Sequence, residues 1–426
     1  MSDALLDPVT PETAEPTVDA ARPIRVGEMP MDGPCDEPAT DIESVGGLFS
    51  PERRALTAGL VMAVTLVAFE ALAVSTVMPI VARDLGDLTL YGWVFSAFFL
   101  ASIVGIIVAG GLVDRGGLVR PMIAALGLFS IGLIVGGLAP SMPILVGGRI
   151  LQGLGAGAIP PIGYVTIGRA FPDELRPRMF AVLSTAWVLP GLVGPALAGA
   201  VAEATTWRLV FLGLLPLILV AAAITLPALS RVAGPDEAGS PGSAAVAVPA
   251  DLTAPAAGAD PWRRLRLALV VVAGAALVVG GLTSASLVPG LPFVVVGVAL
   301  ILPAYRRLTP PGTLRALPVL PAAVLLRGIL TFTFFAADAY VPLALQGWRG
   351  LGPAVAGLAL TGATLSWTAG AWVQARKVAD WGVVRLVRTG FVTVVVGVVG
   401  FALILAPSVP VAVGLLAWSV AGLGMG

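Results

Sequence analysis

The chain has 426 residues, of which 57% are hydrophobic and only 12% charged, with a mean hydropathy of +0.96 and equal numbers of acidic and basic side chains. A soluble domain carries about twice that charge, so water is not the solvent for most of this sequence, and a net charge of zero leaves no basic excess for nucleic acid. The single cysteine, Cys35, excludes an intrachain disulfide and a thiolate metal site, and in the absence of histidine any proton handling in an apolar interior falls to carboxylates.

Residues 1–50 hold eleven acids, two arginines and many prolines without apolar periodicity, which predicts a disordered acidic cytoplasmic tail. They lack the basic start, apolar stretch and cleavage site of a signal peptide. Six apolar runs follow, at residues 56–81, 93–113, 122–139, 144–167, 179–201 and 209–226, each near the roughly 20 residues a helix needs to cross a bilayer. They predict an N-terminal six-helix bundle over residues 51–228. A Gly, Pro, Ala and Ser-rich stretch, 229–262, reads as a flexible linker. Two shorter runs, 267–281 and 287–304, form an inserted two-helix hairpin over 263–308. Runs at 319–345, 354–373, 383–406 and 409–426 then make an incomplete C-terminal helical bundle over 309–426.

Placement of the cations tests this order, because cytoplasmic loops carry the positive excess. With the tail inside, eighteen arginines and lysines fall in cytoplasmic segments, whereas external loops hold three, Arg83, Arg208 and Arg349. The cations are nearly all arginine, Lys377 being the exception, and alanine, glycine and proline abound. Both biases fit a GC-rich bacterial genome and hence a bacterial plasma (inner) membrane.

Landmarks recur at a nearly constant offset. Glu70 is matched by Asp338 268 positions later, Gly117 by Gly382 265 later, and the string GLGAG from Gly153 by GLGMG from Gly422 269 later. One six-helix unit has been copied in parallel, an arrangement that places a transporter's substrate site near the midplane between the copies. Chance likeness among glycine-rich helices is the plain alternative. On this register Gly426 corresponds to Gly157, so the copy of residues 158–228 lies beyond this chain and the last helices are expected to be missing.

Four motifs carry chemistry. GGLVDRGGLVR, from Gly110 to Arg120, closes the second span with an Asp–Arg turn, and GRILQGLGAG, from Gly148, sets Arg149 and Gln152 in the fourth. WVLPGLVGPALAG, from Trp187, puts proline and glycine through the fifth, and Glu70 in the first is the only charge between Arg54 and Arg83. In this order these motifs resemble the major facilitator superfamily, and in particular its fourteen-helix drug:proton antiporter branch. Leu118 and Val119 stand where the family's loop has a basic residue.

The resemblance implies an all-α integral membrane protein with the major facilitator fold, two six-helix repeats with an inserted helical hairpin. It assigns gating to Gly110, Asp114, Arg115, Gly117 and Arg120. Helix bending falls to Pro190, Gly191, Gly194, Pro195 and Gly199, and proton coupling to Glu70, Asp338 and Arg149. Gln152, Trp187, Tyr340 and Trp367 are assigned to the substrate cavity. Plainer alternatives are a topology-setting turn for the loop, snorkelling for Arg149, close packing for the fifth-helix motif, and a satisfied interhelical hydrogen bond for either acid.

The expected activity is secondary transport by alternating access, namely proton-coupled export of small amphipathic or cationic molecules. The alternatives are a transporter of one metabolite, such as a sugar or osmolyte, or a truncated, inactive membrane protein. An enzyme is not expected, since there is no nucleophile with a base, no phosphate loop and no metal cluster. The expected partners are the lipid bilayer, protons and a small-molecule substrate, with no cofactor and no nucleic acid, in a monomer.

Overall fold

A computed structural model describes residues 47–113, 117–232, 261–284 and 286–426. Their secondary structure is helical throughout, as hydrocarbon demands of a spanning chain that must satisfy its backbone hydrogen bonds internally. Helix α1 is Arg54–Leu85, α2 Tyr91–Val113, α3 Val119–Gly137 and α4 Met142–Ala170. The fifth span is α5 Arg176–Thr185 plus α6 Val188–Ala204, and the sixth α7 Arg208–Leu212 plus α8 Leu215–Val232. Helices α9 Pro261–Leu282 and α10 Leu287–Leu308 form the hairpin. Then come α11 Leu320–Asp338, α12 Val341–Leu343, a wide helical turn Ala344–Trp348, α13 Pro353–Trp381, α14 Val383–Ala402 and α15 Val411–Met425.

Ten of these stretches are long and apolar enough to cross a membrane. The remaining two expected spans correspond to α13, which carries Thr361, Thr364, Ser366 and Thr368, and to the 15-residue α15. Large apolar side chains such as Leu219, Val288, Phe332 and Leu416 stand exposed, the outer surface suited to lipid. The chain is therefore a multi-pass membrane protein. The predicted tail and most of the predicted linker lie outside the described residues.

Glycine sets how closely the helices approach, and it does so twice at the same register. In the first half Gly153 and Gly157 of α4 lie against the carbonyl oxygens of Phe98 and Ser102 in α2, and Gly105 of α2 lies against that of Leu154. In the second half Gly422 and Gly426 of α15 meet the carbonyls of Ala363 and Trp367 in α13, and Gly370 meets that of Leu423. Every α2 residue maps onto its α13 counterpart at the 265 offset, and every α4 residue onto α15 at 269. The third helices agree: Gly132 packs on the amide of Gln152, and Gly397 on that of Ala421. No side chain fits between backbones this close, the usual use of small residues in membrane bundles. The repeat read from three landmarks is thus a repeat of interhelical contacts.

The halves meet at one end. Gly191 abuts Thr364, Gly199 abuts Pro353, and Gly357 faces the backbone of Pro195, so α6 and α13 lie side by side. Gln346 donates from Nε2 to the Thr76 carbonyl at 2.8 Å, the Tyr91 hydroxyl donates to the Ala339 carbonyl at 3.1 Å, and the Ala354 amide donates to Glu203 Oε1 at 3.2 Å. These groups sit where α1 and α6 end and where α2 and α13 begin. At the opposite end, Trp372, Trp381, Val383 and Val384 of α13 and α14 are exposed.

In the fifth span, where bending was expected at Pro190, Gly191, Gly194, Pro195 and Gly199, α6 keeps its helical assignment through Pro195, and the interruption lies earlier, at Ala186 and Trp187. Pro190, three residues into the helix, loses no intrahelical bond, because the first four amides have no partner there. The small residues Gly191, Gly199 and the backbone of Pro195 form a contact face toward α13.

Gly153→Val and Gly422→Val, each forcing a side chain into a carbonyl of the facing helix, are expected to cost about 1 to 3 kcal/mol, read as a lowered unfolding midpoint in detergent. Gly127→Val, with open space around its Cβ, is the control that should leave the midpoint unchanged.

Candidate functional site

Three helices converge on Arg149, which is 2% exposed. It lies on α4 two turns from Ser141, and the glycine contacts draw that helix against α2. Its Nε donates to the Val94 carbonyl of α2 at 3.2 Å, and its guanidinium lies 4.1 Å from the centre of the Phe98 ring. Its NH1 donates to Gln152 Oε1 at 2.6 Å and pairs with Glu70 Oε1 of α1. Glu70 is fully buried in mid-helix. An isolated arginine at the centre of a span costs about 2.5 to 3.5 kcal/mol on insertion scales, and a carboxylate, a carbonyl and an aromatic face together compensate it. Snorkelling of Arg149 is ruled out by these contacts. Glu70 Oε2 and Gln152 Nε2 have no hydrogen-bond partner among the described residues, so each side of the pair keeps one unspent polar atom.

Asp338, 9% exposed, ends α11. It stands away from Arg149 and pairs with no cation among the described residues. The Trp418 indole faces its carboxyl, short of a well-formed hydrogen bond. Tyr91 lies near it, and Tyr340 stands against Tyr91 with the rings 5.7 Å apart. Trp418 is fully buried, stacked on Phe334 at 5.0 Å and edge-on to Phe401.

Of the expected cavity residues, Gln152 joins the ion pair. Tyr340, half-exposed, lines a cavity of about 320 Å³ with Leu88, Thr89, Tyr91, Gly92, Thr283 and Leu343. Trp367 packs edge-on against Phe334 and Phe335 as part of the second half's aromatic core. Trp187 is half-exposed at the start of α6. These four do not converge on one chamber. In the loop motif, Gly110 lies in the last turn of α2, and Gly117 and Arg120 are exposed at the start of the next helix. Asp114 and Arg115 lie outside the described residues. Beside that loop, Arg169 NH2 of α4 donates to the Val113 carbonyl at 3.3 Å and so caps the end of α2.

Two polar contacts were not anticipated. Asp84 Oδ2 accepts from Trp207 Nε1 at 2.9 Å and from Arg208 NH1 at 3.0 Å, while Arg208 NH2 donates to the Ala139 carbonyl at 3.3 Å, tying the ends of the first, third and sixth spans. An acid and a basic residue at adjacent external helix ends were the available signal. The Gln346–Thr76 bond had none, since it depends on the relative register of elements 270 residues apart.

Replacing Glu70 by Gln leaves the Arg149 charge buried and uncompensated, which is expected to cost about 3 to 5 kcal/mol. The charge-balanced double variant Glu70→Gln/Arg149→Gln should recover much of that loss. The unfolding midpoint of purified protein and its level in membranes check both.

The sequence matches the profile of the Major Facilitator Superfamily over residues 59–426. It is 28% identical over 162 residues to the multidrug efflux pump SdrM of Staphylococcus aureus, a stretch covering 38% of this chain and 36% of that protein. It is 31% identical over 153 residues to multidrug resistance protein 3 of Bacillus subtilis, covering 36% and 30%. The matched stretches thus span about a third of the curated relatives' length. In fold it is similar to a crystallised peptide transporter of the POT type, with a TM-score of 0.60 at 16% identity over 86% of this chain and 79% of that one. It is similar too to an inward-facing bacterial homologue of the human lysosomal transporter Spinster, with a TM-score of 0.55 at 15% identity over 88% and 73%. With a profile match across most of its length and the repeated helix register, the chain belongs to the major facilitator superfamily, a family of membrane transporters.

Proposed function

We propose that this transporter exports small amphipathic or cationic molecules in exchange for protons, by alternating access, across a bacterial inner membrane with its N-terminus in the cytoplasm. The carrying observation is a carboxylate buried on the first helix of each half, Glu70 paired with Arg149 and Asp338 without a cation partner among the described residues, retained where hydrocarbon makes charge costly. A buried carboxylate that no cation holds exchanges a proton when its surroundings flood. About 100 mV supplies ~2.3 kcal/mol per charge, enough for a roughly 50-fold gradient per proton. The names of the relatives in Staphylococcus and Bacillus favour efflux of drug-like molecules over a single metabolite. Hydrogen bonds joining the halves at the end holding Thr76, Gln346 and Glu203 fit an access state closed at that end, the external one in this orientation.

In membrane vesicles an imposed pH gradient should drive movement of a fluorescent cationic dye, and a protonophore should abolish it. Dye movement unaffected by the protonophore would refute proton coupling. Orientation is read from Cys35, the only thiol: a membrane-impermeant maleimide should label it in inverted vesicles and not in intact cells. Labelling of intact cells would place the N-terminus outside.

A further inference from the structure

Superposing the two repeats by their glycine contacts sets Trp418 at the position of Arg149, since the 269 offset that carries Gly153, Leu154 and Gly157 onto Gly422, Leu423 and Gly426 carries Arg149 onto Trp418. The same register puts Asp338 at the position of Glu70, and Ala421 at that of Gln152. Each half therefore buries one carboxylate facing the same place on its fourth helix. In the first half that place holds a cation, backed by the Val94 carbonyl and the Phe98 ring. In the second it holds an indole, and the residues matching Val94 and Phe98 are Ala359 and Ala363.

We infer that the two halves divide the electrostatic work: Glu70 is the permanently charged member of a fixed ion pair, and Asp338 is the acid that binds and releases the proton during the transport cycle. This rests on the proton-coupled reading above and names the residue that performs it.

The surroundings of Asp338 support the division. From α2 it faces Tyr91, which Tyr340 in turn packs against, and from α15 Trp418. The nearest cation ahead in the chain, Arg349, spends its guanidinium on the carbonyls of Ile404, Ala406 and Val409. Arg327 lies eleven residues earlier on α11, about 16 Å along the axis. Arg385 and Arg388 sit in the first two turns of α14, and Arg315 precedes α11 in a separate turn. A carboxylate with no cation in reach among the described residues is stable in such a place with its proton on. When water enters from the open end, the Asp338 O–H bond breaks, the proton passes to water, and the carboxylate left behind can take the positive group of a cargo. Glu70 has no such freedom, because losing its charge strands Arg149.

Infrared spectroscopy of the purified full chain at neutral pH, with and without exchange into heavy water, reads this directly. The carbonyl stretch of a protonated carboxylic acid should be present in the wild type, absent in Asp338→Asn, and retained in the charge-balanced Glu70→Gln/Arg149→Gln variant. A wild type without the band, or its loss in the double variant and persistence in Asp338→Asn, overturns the inference. In vesicles, Asp338→Asn should reduce dye movement driven by a pH gradient to the level of membranes lacking the protein. Trp418→Arg, which supplies the cation of the first repeat, should do the same, whereas Trp418→Phe should transport. Should Trp418→Arg not reach the membrane, the infrared comparison decides alone. If the wild type moves no dye under the gradient, the proposed function fails; if it does and Asp338→Asn moves dye equally well, the assignment of Asp338 fails while the function stands.

Discussion

A charge in hydrocarbon has to be met by another charge or by dipoles within bonding distance, and the first half of this protein is arranged around that requirement. Arg149 reaches α1 through Glu70, α2 through Val94 and Phe98, and its own helix through Gln152. None of these contacts forms unless α2 and α4 run close enough for a side chain to touch the neighbouring backbone, and that spacing comes from Gly105, Gly153 and Gly157. Small residues and a costly charge are thus two parts of one device. The glycines let the backbones meet, and the ion pair fixes which register they meet in.

The second half keeps the spacing and discards the charge. Gly370, Gly422 and Gly426 hold α13 and α15 together at the equivalent register, and the room that Arg149 occupies is filled by Trp418, stacked on Phe334, which Trp367 meets edge-on, and bordered by Phe401. An aromatic core replaces a polar one at the same place in the same unit. Differences at a few matched positions, Arg149 and Trp418, Phe98 and Ala363, Gln152 and Ala421, give the two carboxylates opposite surroundings on one scaffold.

Much of this was legible in the amino-acid sequence because it rests on local signals. Apolar windows locate the spans, the constant offset of Gly117, Gly153 and Glu70 from their partners exposes the repeat, and a lone acid in a 26-residue apolar stretch marks Glu70. What stayed hidden depends on register between distant elements. The ring of Phe98 beneath Arg149, the bond from Gln346 to Thr76 and the shared carboxylate of Asp84 each join helices whose relative slide no single stretch of sequence records. The four aromatic and polar side chains expected to share a chamber were grouped by residue type alone, and they disperse among an ion pair, an aromatic core, a helix start and a side cavity. Proline and glycine in α6 likewise have a local meaning, bending, while their contact with α13 is a matter of distant register.

The hairpin of α9 and α10 is fastened to the first half, where Trp93 Nε1 donates to the Thr283 hydroxyl at 3.2 Å and the hairpin lies along α2. It therefore sits with the first half, and residues 309–319 after it form the described connection to the second repeat. That short link carries Gly312, Ala316 and Val319 with φ of 86°, 50° and 69°. The left-handed region is unfavourable for a β-branched residue such as Val319, and a chain already bent there resembles a sprung hinge, loaded on one side of the swing.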